Sequence, residues 1–198
     1  MKELRVVNEQ PADLERLQTG HLNEHAETER LENAAEHLSK IEQLRPEVWS
    51  GLTETKREWC LRQVGRRLSE AYECPAPPFI GGRFNEDDRG ITLGEHSDSD
   101  YIIKLNREVL KMNDSGQALE TYCHEFRHAY QHEMAGRYNS TFSHLCHSEA
   151  QAKRWSENLK PGNYVAFEEN PERYAAQPVE KDAREFAARI KEEVRRRQ

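Results

Sequence analysis

Thr121-Tyr122-Cys123-His124-Glu125-Phe126-Arg127-His128-Ala129-Tyr130-Gln131 places two histidines four positions apart, with a glutamate directly after the first. The stretch lies in a helical pattern from about Gly116 to Met134, closed by Gly136. Leu119, Tyr122, Cys123, Phe126 and Tyr130 supply its apolar back. On a helix, positions i and i+4 stand about 40° apart and one turn along the axis. The imidazoles of His124 and His128 can therefore converge on one metal ion, while Glu125 faces the substrate side as a general base.

A third ligand must come from elsewhere. A metzincin arrangement needs Gly at position 131 and His at position 134. Gln131 and Met134 stand there instead, which excludes it. His132 continues the i, i+4 series but stands about 12 Å along the axis from His124 at 1.5 Å per residue, too far to share its ion. The segment Gln177-Pro178-Val179-Glu180-Lys181-Asp182-Ala183-Arg184-Glu185-Phe186-Ala187 opens a last helix, with Pro178 suited to its first turn. Its inward face reads Val179, Ala183, Phe186, Ala187, Ile190 and Val194. Glu180 falls about 60° from the centre of that face, at its buried edge, while Glu185 points to solvent. Glu180 is the expected third ligand. Asp182 is the alternative ligand, or an acceptor that orients a ligating histidine.

Residues 121–131 together with 178–187 resemble the HExxH zincin metallopeptidases of the gluzincin type, in which a Glu on a later helix completes a His-His-Glu site. The Glu-x-x-Ala spacing of Glu180 and Ala183 is similar to the third-ligand helix of the membrane CAAX-processing peptidases and of the soluble ImmA-type regulators. The form HExRHAxQ followed by Pro-x-Glu-x-Asp-Ala-Arg looks like small metallopeptidase domains of bacterial toxins, effectors and phage-related proteins. The matching stretches cover about 20 of the 198 residues, and the 52 positions from His128 to Glu180 are a long separation beside the soluble regulators. The resemblance implies a zincin-like domain holding one Zn2+ per chain, and a protein or peptide substrate.

Working outward, Pro46 opens a helix expected over about residues 46–72, with Trp49, Leu52, Trp59, Leu61, Val64, Leu68 and Tyr72 as its apolar stripe. Pro75, Pro77 and Pro78 end it. The runs Gly90-Ile91-Thr92-Leu93-Gly94 and Tyr101–Asn106, with the polar loop 95–100 between them, predict two antiparallel strands of a small sheet packed on the HExxH helix. A short helix is expected over about 145–158, before Pro161-Gly162. Residues 1–45 form a helical N-terminal arm, in which His21, His25 and His37 read as surface positions. The expected architecture is mainly helical α+β, with the arm at 1–45 and the metallopeptidase domain at 46–198.

Composition limits the function classes. Charged residues make up 33% and hydrophobic ones 35%, and three Trp, seven Tyr and six Phe anchor one modest core. The net charge of −7 argues against a nucleic-acid partner. No apolar run approaches the ~20 residues of a membrane span. The N-terminus also lacks the apolar region of a secretory signal. A cytoplasmic protein is expected, signal-independent secretion staying open, with reduced thiols at Cys60, Cys74, Cys123 and Cys146.

The chemistry also needs a donor to the oxyanion of a tetrahedral intermediate. Tyr138, His144, His147, Tyr164 and Tyr174 lie between the ligand helices and are the candidates; Arg127 and Gln131 are expected to brace the ligand helix by hydrogen bonds. Two other readings stand beside a zinc endopeptidase. One is a zincin-fold binding or regulatory module. The other is a helical interaction protein whose arm engages a partner or inhibitor. The arm is also a candidate cover for the cleft.

Overall fold

The computed structural model describes residues 11–82, 93–97 and 101–198, with side chains from residue 24 onward. Helix α1 (Pro11–Ser39) leads, followed by α2 (Pro46–Trp49) and α3 (Glu54–Tyr72). Strands β1 (Phe79–Gly82), β2 (Gly94–Ser97) and β3 (Ile102–Asn106) come next, then α4 (Arg107–Lys111) and the long α5 (Ser115–Tyr138). The chain ends with α6 (Glu149–Asn158), α7 (Pro171–Ala176) and α8 (Pro178–Arg197). The protein is thus mainly helical, with a small three-stranded sheet. No helix among the described residues is long and apolar enough to cross a membrane.

Helix α5 forms the central rod. Asp114 caps its N-terminus, its carboxylate accepting from the Gly116 and Gln117 amides, and the helix runs two residues past Gly136. Helix α8 packs along it with the expected face: Val179, Ala183, Phe186, Ala187, Ile190 and Val194 are all buried. Tyr72 from α3 sits edge-on to Phe126, Tyr130 and Phe186, which ties α3, α5 and α8 into one aromatic centre. The second half of α1 joins the same core through Leu31, Ala34, Ala35 and Leu38.

The sheet departs from expectation in two ways. Its order is β1-β3-β2, with β2 antiparallel and β1 parallel to β3, so it is mixed rather than antiparallel. The unforeseen β1 contains a Gly pair and follows three prolines, a poor strand signature. Phe79 anchors it by packing against Tyr122. At Gly81, a Cβ would stand 2.5 Å from Glu58 Oε1 and 2.8 Å from Leu110 Cδ1, so any larger residue would have to push both side chains aside. Among the described residues, the strand paired antiparallel with β3 is Gly94–Ser97. Glu95, His96 and Ser97, read as loop, are strand residues, and Glu95 forms a cross-strand ion pair with Lys104 at 3.5 Å. Positions 90–92 and 98–100 lie outside the described residues.

The helix expected over 46–72 is broken. Thr53 caps α3 by accepting from the Lys56 amide, and Trp49 instead turns into the core, donating Nε1–H to the Met112 carbonyl at 2.9 Å. Trp59 is 53% exposed and does not belong to the stripe, whose inward members are Cys60, Leu61, Val64, Leu68 and Tyr72. The short helix placed at 145–158 begins at Glu149, where the Ser148 hydroxyl caps it. Cys60, Cys74 and Cys123 are buried and Cys146 half-buried, all as free thiols. Burial pushes the Cys60 and Cys74 thiols up to about 12, so they pack as small apolar groups.

Buried Arg57 closes the break. Its guanidinium donates to the carbonyls of Trp49, Ser50, Leu110 and Met112 and to Asn113 Oδ1, at 2.8 to 3.3 Å. Replacing it by leucine removes the group that ties these segments together and takes from the buried Leu110 carbonyl its guanidinium donor. Urea denaturation of Arg57→Leu is expected to show a stability loss of about 3 kcal/mol.

Candidate metal centre

The first turn of α8 crosses α5 beside the two histidines. One ligand atom each from His124, His128 and Glu180 lie within 4.8 Å of one another. The two Nε2 atoms are 3.0 Å apart. Glu180 Oε2 stands 3.5 Å from His124 Nε2, and Glu180 Oε1 stands 3.5 Å from His128 Nε2. Glu180 is only 1% exposed. Burial alone would raise its carboxyl, but the His124 and His128 imidazoles facing it outweigh that and hold the group well below the usual carboxylate range. For His128 burial also opposes charge, and the Glu180 carboxylate overcomes it, raising the imidazole above its ordinary value.

A divalent cation suits this arrangement. Two imidazoles and a carboxylate are a donor set typical of zinc. Glu180 Oε2 is buried and lacks a hydrogen-bond partner among the described residues, a costly state for a carboxylate oxygen unless a cation faces it.

The cleft above these groups, about 430 Å³, is lined by β2 and α5 on one side and by the turns before α8 on the other. Glu125 lies in its wall, 7% exposed. Burial raises its carboxyl above the ordinary range, the neighbouring histidines and the His96 backbone amide partly offsetting this. Gly94 makes the contact between β2 and α5 feasible: a Cβ there would lie 2.8 Å from Glu125 Oε1 and 3.0 Å from Thr121 Cγ2.

Of the five candidate donors, Tyr164 and Tyr174 line the cleft. Tyr164 donates to Glu180 Oε1 at 3.1 Å. Burial and the Glu180 charge push both phenols upward, so both stay protonated near neutrality. Tyr138, His144 and His147 are placed elsewhere. His147 bonds the Tyr130 hydroxyl at 2.8 Å and faces Glu73, and with His144 it lines a separate cavity. Tyr138 packs partly buried against the core.

Asp182 points away from the ligand cluster. It accepts two hydrogen bonds from Arg127, at 2.8 and 3.1 Å, and one from Gln131 Nε2 at 2.7 Å. Gln131 also meets His128 Nδ1 at 3.0 Å, so Asp182 reaches the histidine through Gln131 rather than directly. His96 and His132 also line the cleft, their rings 5.3 Å apart. Neither was singled out for this place, because His96 sits in a stretch read as loop and only the fold brings β2 to His132. The described side chains of α1 do not line the cleft; Glu27 instead pairs with Arg127 at 2.8 Å.

Mass spectrometry of the purified chain should find one divalent metal ion per molecule, lost in His124→Ala, His128→Ala and Glu180→Ala. Metal kept in Glu180→Ala would transfer the third position to another group. In comparisons of the chain with known proteins, no family model, no curated protein and no solved structure matches it.

Proposed function

We propose that this chain is a zinc-dependent metalloendopeptidase of the zincin type, hydrolysing bonds in protein or peptide substrates. The observation that carries this reading is Glu125, a buried carboxylate of raised basicity in the same cleft wall as the His124, His128 and Glu180 group. Resemblance of the HExRHAxQ and Pro-x-Glu-x-Asp-Ala-Arg stretches to small zinc peptidase domains supports it independently.

His124, His128 and Glu180 would hold the zinc. Bound there, zinc supplies Lewis acidity, bringing the pKa of water towards neutral and polarising a carbonyl. The chain's own groups do the rest. Glu125 accepts the proton of the attacking water, and its raised pKa makes it a better base at neutral pH than an exposed carboxylate. It then passes that proton to the departing amine. Tyr164 and Tyr174, protonated and facing the cleft, are the donors within reach of a developing oxyanion. Strand β2 forms one end of the sheet order, so its backbone is placed to align an extended peptide.

Cleavage of a panel of unstructured polypeptides tests the reading. Wild type should cleave, and Glu125→Gln should lose about a thousandfold or more of kcat while retaining its zinc. Zinc binding with no difference between the two proteins would leave a binding or regulatory module. Between the phenols, the Phe variant of the true oxyanion donor should lose about a hundredfold of kcat with zinc content and KM near wild type. The other variant should stay within severalfold.

A further inference from the structure

The hydrogen-bond polarity around Gln131 is set by partners that have no choice of role. A guanidinium can only donate and an ionised carboxylate can only accept. Arg127 donates through Nε and NH2 to the two oxygens of Asp182. Gln131 Nε2 lies 2.7 Å from Asp182 Oδ2 and 2.9 Å from the Val179 carbonyl oxygen. Both are acceptors, so the amide NH2 must face them and the amide oxygen must face His128. Gln131 Oε1 is 3.0 Å from His128 Nδ1, and an amide oxygen has no proton to give. The proton in that contact therefore sits on Nδ1. In a neutral imidazole the other nitrogen, Nε2, then keeps its lone pair. That nitrogen is the one beside His124 Nε2 and Glu180 Oε1.

We propose that Gln131 is a positioning residue. Pinned by Asp182 and the Val179 carbonyl, it selects the Nδ1-protonated form of His128 and keeps a lone pair aimed between His124 and Glu180. The use of that lone pair for zinc rests on the metal-centre reading above; the place of the proton is a property of the metal-free chain. Gln131 is fully buried, so water does not compete for its amide. Val179 immediately precedes Glu180, so one amide group also links the two ligand helices beside the third ligand.

Two substitutions disturb this chain without touching a metal ligand. Asp182→Asn keeps the size of the side chain but gives it an NH2 group. Placed at the Oδ2 position, that group faces both Arg127 Nε and the Gln131 NH2, which would flip the Gln131 amide and offer His128 a donor where it had an acceptor. Placed at the Oδ1 position, it sets donor against donor at Arg127 NH2 alone and leaves Gln131 its acceptor. Gln131→Leu removes the acceptor altogether and leaves His128 Nδ1–H without its partner.

The test is ring-nitrogen NMR of the metal-free full-length chain at alkaline pH, where the imidazoles are neutral, together with zinc affinity by chelator competition. Wild-type His128 should give the signature of protonation at Nδ1. Gln131→Leu should shift toward protonation at Nε2 and bind zinc about ten- to a hundredfold more weakly, with unchanged far-ultraviolet dichroism, and Asp182→Asn, which can leave Gln131 its acceptor, should shift less. Protonation at Nε2 in metal-free wild type overturns the proposal, and so does lost zinc affinity with the tautomer unmoved. If Gln131→Leu does not fold, the wild-type spectrum, which needs no substitution, decides alone. A wild type with the expected tautomer that binds no zinc would sink the metal-centre reading and leave the assignment of His128 standing.

Discussion

The buried guanidinium of Arg127 is the interaction on which the arrangement of this protein depends. A lone charge at such a site would cost several kcal/mol in lost hydration. Burial does oppose its ionisation, yet Asp182 and Glu27 together outweigh that and hold it firmly protonated. Asp182 belongs to α8 and Glu27 to α1, so one side chain of α5 fixes the position of two other helices. The ring centres of Tyr72, Tyr130, Trp155 and Phe186 lie 4.9 to 5.6 Å from the guanidinium carbon and shield it on the core side. Removing either carboxylate would leave the pairing incomplete in a dry place, so the helices can shift past one another only at high cost.

That rigidity is what a metal centre here would need. His124 and His128 come from α5 and Glu180 from α8, so the three groups come within reach of one ion only when the two helices keep their register. Gathering two imidazole nitrogens 3.0 Å apart around a buried carboxylate is not favourable in itself. The apolar contact along the rest of α8, through Ala183, Phe186, Ala187 and Ile190, is independent of those polar groups and holds the segments together. The small residues Ala183 and Ala187 are what allow so close an approach.

Much of this could be read from sequence, and for identifiable reasons. The 3.6-residue period located α5 and α8 and every inward residue of α8, because long amphipathic helices leave a strong and repeated signal. The same wheel put Glu180 at a buried edge. Strand β1 escaped because Phe79-Ile80-Gly81-Gly82 holds two residues with no side chain and owes its place to Tyr122 and Leu110, both distant in sequence. The loop reading of Glu95–Ser97 failed because a polar edge strand has no apolar alternation to betray it. Tyr164 and Tyr174 could not be told from Tyr138, His144 and His147, since only the folded turns before α8 decide which of them reach the cleft. The link from Glu27 to Arg127 spans a hundred positions and left no local trace.

Helical geometry explains why α8 can serve the site and the scaffold at once. Glu180 and Asp182 are two positions apart, hence about 200° apart around the axis. One faces the cleft while the other faces Arg127. On α5 a smaller divergence serves: Arg127 and His128 are adjacent and about 100° apart, and Gln131 lies four and three positions further along, on the side between them. A hydrogen-bonded path therefore runs from the buried charge through Asp182 of α8 and Gln131 to the His128 imidazole. The charge that secures the helices and the acceptor facing His128 belong to one network, so a change that loosens the packing of α8 is felt at His124, His128 and Glu180 even where all three are intact.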